Sequence, residues 1–137
     1  MCLAGASGAG AELLAAMPTA DLRAYYVWVP MLPSDDRNAV LAAAHRLSAP
    51  GAAHYWDSGR DLSRRMATTL GIDTRCSAAQ GDESPFAWDV YLAYRRGNRD
   101  IAHPDFWMHQ LAVEHAPRFD SDEWQRRITE MLGESGV

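Results

Sequence analysis

Apolar residues recur along this chain with two different periods. Leu3, Ala6, Ala9, Leu13, Leu14 and Met17 fall on one stripe with a 3.6-residue repeat, which predicts a helix over residues 3–17. Gly5, Gly8 and Gly10 interrupt it, each costing about 1 kcal/mol relative to alanine, so the first turns either pack closely or fray. Pro18 ends the segment. The stretch LRAYYVWVPML (22–32) has no such period. It is a nearly continuous aromatic and β-branched run, the pattern of a strand covered on both faces.

The two patterns then alternate. SDDRNAVLAAAHRL predicts a helix capped by Ser34 or Asp35, with Val40, Leu41, Ala44 and Leu47 on one side. AAHYW (52–56) reads as a short strand. Asp57 or Ser58 opens a helix carrying Leu62, Met66 and Leu70, and Gly71 stops it. PFAWDVYLAY (85–94) reads as a second firm strand, RRGNR as a turn, and 101–111 as room for one more short strand. Asp120 or Ser121 caps a last helix that buries Trp124, Ile128, Met131 and Leu132. Strands alternating with helices imply an α/β domain spanning 1–137, with a mixed sheet and helices on both faces.

Composition narrows the function classes. The 137 residues suit one domain with its own core, and the net charge is −5, with arginine as the cation throughout. An acidic chain offers little to nucleic acid or to anionic membranes. No run reaches the roughly 18 apolar residues of a membrane span, and Glu12 with the lack of a leading positive charge argues against a secretory signal. The expectation is a cytoplasmic protein, or an extracytoplasmic one if a segment precedes Met1. Cys2 and Cys76 make no disulfide framework, and His54, His103, His109 and His115 lack metal-ligand spacing, so no metal or cofactor is expected.

Taken together, a cysteine before the first helix, the buried run YYVWVPML, the helix ending LGI and the proline of SPFAWDVYLAY resemble the thioredoxin-like superfamily over about residues 2–132. The resemblance implies a three-layer α/β/α sandwich and thiol–disulfide chemistry on protein thiols or a peptide partner. It implies that Pro85, after Ser84, is cis and faces the redox cysteine. A helix N-terminus carries about half a positive charge, which favours a thiolate there.

The chain departs from the family at its front. The family's first strand and its C-x-x-C pair are not both present: only Met1 precedes Cys2, and position 5 is glycine. Cys2 therefore aligns either with the attacking cysteine, giving CLAG, or with the resolving one, the first strand and the nucleophile being missing. The second alignment is preferred, because the helix starts at once after Cys2.

Loss of that strand would leave YYVWVPML with an open edge, which invites homodimerisation. The catalytic candidate is Cys2, and Ser84 and Pro85 are the substrate-binding candidates. Cys76 and Asp89 are secondary. Asp89 in mid-strand needs a partner or solvent, and a structural role suits it better than a catalytic one. DFWMH (105–109) is a candidate exposed contact surface. The alternative function is a binding module without redox activity, holding a peptide in a groove near Pro85.

Overall fold

A computed structural model describes residues 3–72, 85–111 and 116–134. The first helix, α1, is α-helical over Leu3–Ala6, widens to a π-helix over Ser7–Ala11 and returns to α-helix over Glu12–Ala16. Strand β1 (Ala24–Trp28) follows, then α2 (Arg37–Arg46), β2 (Ala52–Trp56), α3 (Asp61–Leu70), β3 (Val90–Ala93), β4 (Phe106–His109) and α4 (Ser121–Glu134). The architecture is mixed α/β.

The glycines of α1 pack closely; they are not a fraying end. A side chain at Gly5 would collide with the Tyr91 hydroxyl, and one at Gly10 with the Tyr26 hydroxyl. Small residues let the helix backbone settle onto both tyrosines. The indole N–H of Trp124 donates to the Ala9 carbonyl, 3.0 Å away and within the π-helical turn. One flank of α1 (Ala9, Leu13, Met17) joins the core around Tyr91, Ala93, Met108, Trp124 and Ile128. Another (Leu3, Ala6, Ala11) joins the core around Tyr26, Trp28, Val40, Ala43 and Leu47.

The expected single mixed sheet is instead two pairs. β1 and β2 run parallel, Tyr25 opposite Ala53 and Val27 opposite Tyr55. β3 and β4 run antiparallel, Tyr91 opposite Met108. No strand among the described residues joins β1 to β3. The reading of β1 as covered on both faces also fails. Tyr26 and Trp28 are buried, but Tyr25 is 67% and Val27 39% exposed. Side chains alternate across a strand, and no described helix lies over that second face.

Local boundaries shift for identifiable reasons. Asp36, not Ser34 or Asp35, caps α2 by accepting from the Ala39 N–H at 2.9 Å. The Asp35 carboxylate turns back to the N–H groups of Met31 and Leu32 instead. α3 starts at Asp61, later than expected, because the Asp57 carboxylate reaches forward to the N–H groups of Asp61 and Ser63. Gly71 does end α3, in a left-handed conformation with φ 67°. The strand expected over 85–94 is only Val90–Ala93. DFWMH is no exposed surface: Met108 and His109 are fully buried in β4. In α4, Trp124 and Ile128 are buried as expected, and Met131 and Leu132 pack partly against them.

Candidate functional site

The first turn of α1 meets the start of β3 and the end of β4. The Tyr91 hydroxyl fills the space where a Gly5 side chain would stand and donates to Gln110 Oε1 at 3.0 Å. The Gln110 backbone N–H donates to the Asp89 carbonyl, also at 3.0 Å. Asp89 is the residue directly before β3, and its φ of 50° is left-handed. Among residues with a β-carbon, aspartate and asparagine tolerate that region best. Burial pushes the Asp89 carboxyl above the usual carboxylate range.

Behind Asp89 lie two polar rings. Trp88 and His109 meet edge to face, ring centres 5.8 Å apart. His109 Nδ1 accepts from the Leu111 N–H at 3.0 Å, which leaves the proton of the neutral ring on Nε2. Among the described residues, neither His109 Nε2 nor Trp88 Nε1 has a hydrogen-bond partner. Burial lowers the His109 pKa, so the ring is held neutral. Its backbone is tied on both sides, donating to the Pro117 carbonyl and accepting from the Phe119 N–H.

A second aromatic group sits below the middle of α1. Tyr26, His54 and Trp28 stack nearly parallel, with the Tyr26 and His54 rings 4.5 Å apart. Trp28 Nε1 donates to His54 Nδ1 at 3.1 Å. Desolvation lowers the His54 pKa, and the Leu47 backbone opposes this.

Of the candidates taken from sequence, Pro85 and Asp89 lie among the described residues. Cys2, Cys76 and Ser84 lie outside the described residues, and with Ser84 goes the geometry of the Ser84–Pro85 bond. Pro85 does not stand immediately before a strand. The Phe86 side chain that follows it is fully buried beneath the Arg60 guanidinium, 4.6 Å from the ring centre. The Ala87 N–H donates to the Ser63 carbonyl. These contacts hold residues 85–87 against the start of α3, so the position before β3 belongs to Asp89.

No protein-family model, curated protein or solved structure gives a significant match to this chain. The site therefore rests on its own geometry. Of its members, sequence reasoning singled out Asp89 but missed Tyr91 and Gln110. The one signal for them was the glycine at position 5, which a well-formed helix disfavours unless another side chain needs the room.

Proposed function

We propose that this chain is a thioredoxin-like domain related to the thiol–disulfide oxidoreductases, working with a single cysteine where the family uses a pair. The order of elements supports the reading: helix, strand, helix, parallel strand, helix, an antiparallel pair and a closing helix. The observation that carries it is the contact of the first turn of α1 with the residues around Asp89. Cys2 directly precedes Leu3, the first residue of that helix. Asp89, with its raised pKa, hydrogen-bonds through its own carbonyl to the residue that reaches Tyr91 over Gly5.

The chemistry follows from a thiol, a helix N-terminus and a carboxyl. The Cys2 thiol passes its proton to the Asp89 carboxylate. The thiolate attacks a partner disulfide, forming a mixed disulfide and releasing the partner's other sulfur as a thiolate. That thiolate takes the proton back from Asp89. With no cysteine one turn along the helix, the mixed disulfide lasts until an external thiol attacks it. Position 5 could not supply that cysteine, because the Tyr91 hydroxyl occupies its side-chain space. The peptide-groove alternative beside Pro85 has less support, since Phe86 and Arg60 pack that region. No helix among the described residues is long and apolar enough to cross a membrane.

The test is the pH profile of Cys2 alkylation by iodoacetamide in a Cys76→Ser background. Asp89→Asn removes a competing negative charge and lowers the midpoint of that profile. A midpoint indifferent to Asp89→Asn would separate the carboxyl from the thiol and sink the proposed chemistry. Insulin reduction by the unaltered chain shows no turnover on this reading.

A further inference from the structure

A pocket lies at the opposite end of α1 from Gly5. The end of the helix (Leu14, Met17), the approach to β1 (Leu22, Arg23) and the turn between α2 and β2 (Ser48, Gly51) enclose about 360 Å³. That is at the small end of the volumes that hold organic ligands, about 300–1,000 Å³. Backbone hydrogen bonds fix the walls before anything binds. The Ala20 N–H donates to the Met17 carbonyl, the Leu22 N–H to that of Ala20, and the Ala24 N–H to that of Gly51. Gly51 holds a left-handed φ of 86°, and a side chain there would stand 3.0 Å from the Leu22 carbonyl. Glycine alone adopts that turn without strain.

The lining is apolar except at two side chains, Arg23 and Ser48. Arg23 Nη1 and Leu14 Cδ2 come within 3.5 and 3.7 Å of one point, the place a Gly51 side chain would start. The guanidinium therefore borders the apolar wall, on an otherwise exposed side chain. Among the described residues it has no hydrogen bond or ion pair. The neighbouring acid, Asp21, is bound by Arg96 at 3.1 Å instead. A guanidinium presents a planar fork of N–H donors that takes a carboxylate in two parallel bonds. The end of α1 opposes an anion with about half a negative charge spread over its last carbonyls. The full charge on Arg23 outweighs it.

We infer that this pocket binds a medium-chain monocarboxylic acid, with the carboxylate on Arg23 at the mouth and the hydrocarbon tail against Leu14, Met17 and Leu22. The lining selects that class. A phosphate or dicarboxylate calls for a second cation, and Arg23 is the one charged lining residue. A sugar calls for more polar side chains than Ser48. A cationic amphiphile meets Arg23 unfavourably, and a long-chain acid leaves much of its tail in water. The site does not depend on thiol chemistry.

The test is a titration with sodium octanoate followed by amide chemical shifts. Saturable shifts are expected at Leu14, Leu22 and Gly51. Affinity should rise about threefold to fourfold per methylene from butanoate to octanoate, then level off by dodecanoate as the pocket fills. Arg23→Gln should weaken octanoate by about fivefold or more and leave the weaker binding of octan-1-ol unchanged. Ala15→Phe, at an exposed lining position of α1, should remove binding of both while keeping the amide spectrum of the folded chain. Octanoate binding Arg23→Gln as tightly as the unaltered chain would overturn the inference. So would a lack of saturation by about 10 mM. Shifts at Tyr25 and Tyr55, with affinity still climbing at dodecanoate, would also overturn it, by placing the acid on the exposed face of β1 and β2.

Discussion

The two strand pairs have similar sequences and different surroundings. β1 and β2 are covered on one face, where Tyr26 and Trp28 pack with α2 and α1; their other face leaves Tyr25 67% and Tyr55 54% exposed. β3 and β4 are covered on both. Tyr91, Ala93 and Met108 pack with α4 and α1, while Val90, Leu92 and Trp107 pack with Met66, Ala67 and Leu70 of α3. A continuous apolar run thus states what a strand can bury, not what the rest of the chain supplies to cover it. The parallel pair has more apolar surface than the described residues cover.

The sharpest test of this contrast is a pair of substitutions. Met108→Ala removes a side chain that is only 1% exposed, and the expected loss is about 2–5 kcal/mol. Val27→Thr, on the open face of β1, is expected to change stability by no more than about 0.5 kcal/mol. Urea denaturation measures both. Comparable losses would mean that the outer face of β1 is covered in solution, and the contrast would be broken.

The glycine contacts set the two halves against each other through one helix. Gly10→Ala drives a methyl group into the Tyr26 hydroxyl, and Gly5→Ala drives one into that of Tyr91; each should cost about 1–3 kcal/mol. Their rescues differ. The Tyr26 hydroxyl is buried with no hydrogen-bond partner among the described residues, so Tyr26→Phe restores Gly10→Ala nearly in full. Tyr91→Phe also strips Gln110 of its donor and restores Gly5→Ala only in part, short by about 1 kcal/mol. Double-mutant cycles on thermal melts read the difference. Equal rescue in both pairs would show that the Tyr91–Gln110 bond adds nothing.

Much of this arrangement was legible in the chain. The helices over Arg37–Arg46, Asp61–Leu70 and Ser121–Glu134 follow the apolar periodicity, since each buries a single stripe. The glycines of α1 announced close packing, but not that two tyrosines from different strand pairs would use it. Strand limits were less legible. Residues 85–89 look like the strand that follows them, yet Ala87 bonds to α3 and Asp89 turns left-handed, so pairing begins only at Val90. That placement depends on contacts distant in sequence, which no local pattern encodes. It also moved the residue before β3 from Pro85 to Asp89, the largest change in the candidate site.

The smallest expected effect is on pH dependence, and it too divides the halves. His54 beside β1 and His109 in β4 are both held below the ordinary histidine value by burial. In the unfolded chain each titrates near 6.5. Above that pH both states carry neutral rings and stability is unaffected. As pH falls below about 6.5, the unfolded chain takes up protons that the folded chain still refuses, and stability declines down to the depressed folded values. His109 is fully buried with no opposing influence, whereas His54 is partly exposed and the Leu47 backbone counters its desolvation. Urea midpoints between pH 7.5 and 5.5 should therefore fall in the unaltered chain. The fall should flatten more in His109→Gln, whose amide oxygen can still accept from Leu111, than in His54→Gln. Equal flattening would place the two rings in equivalent surroundings and remove this difference between the halves.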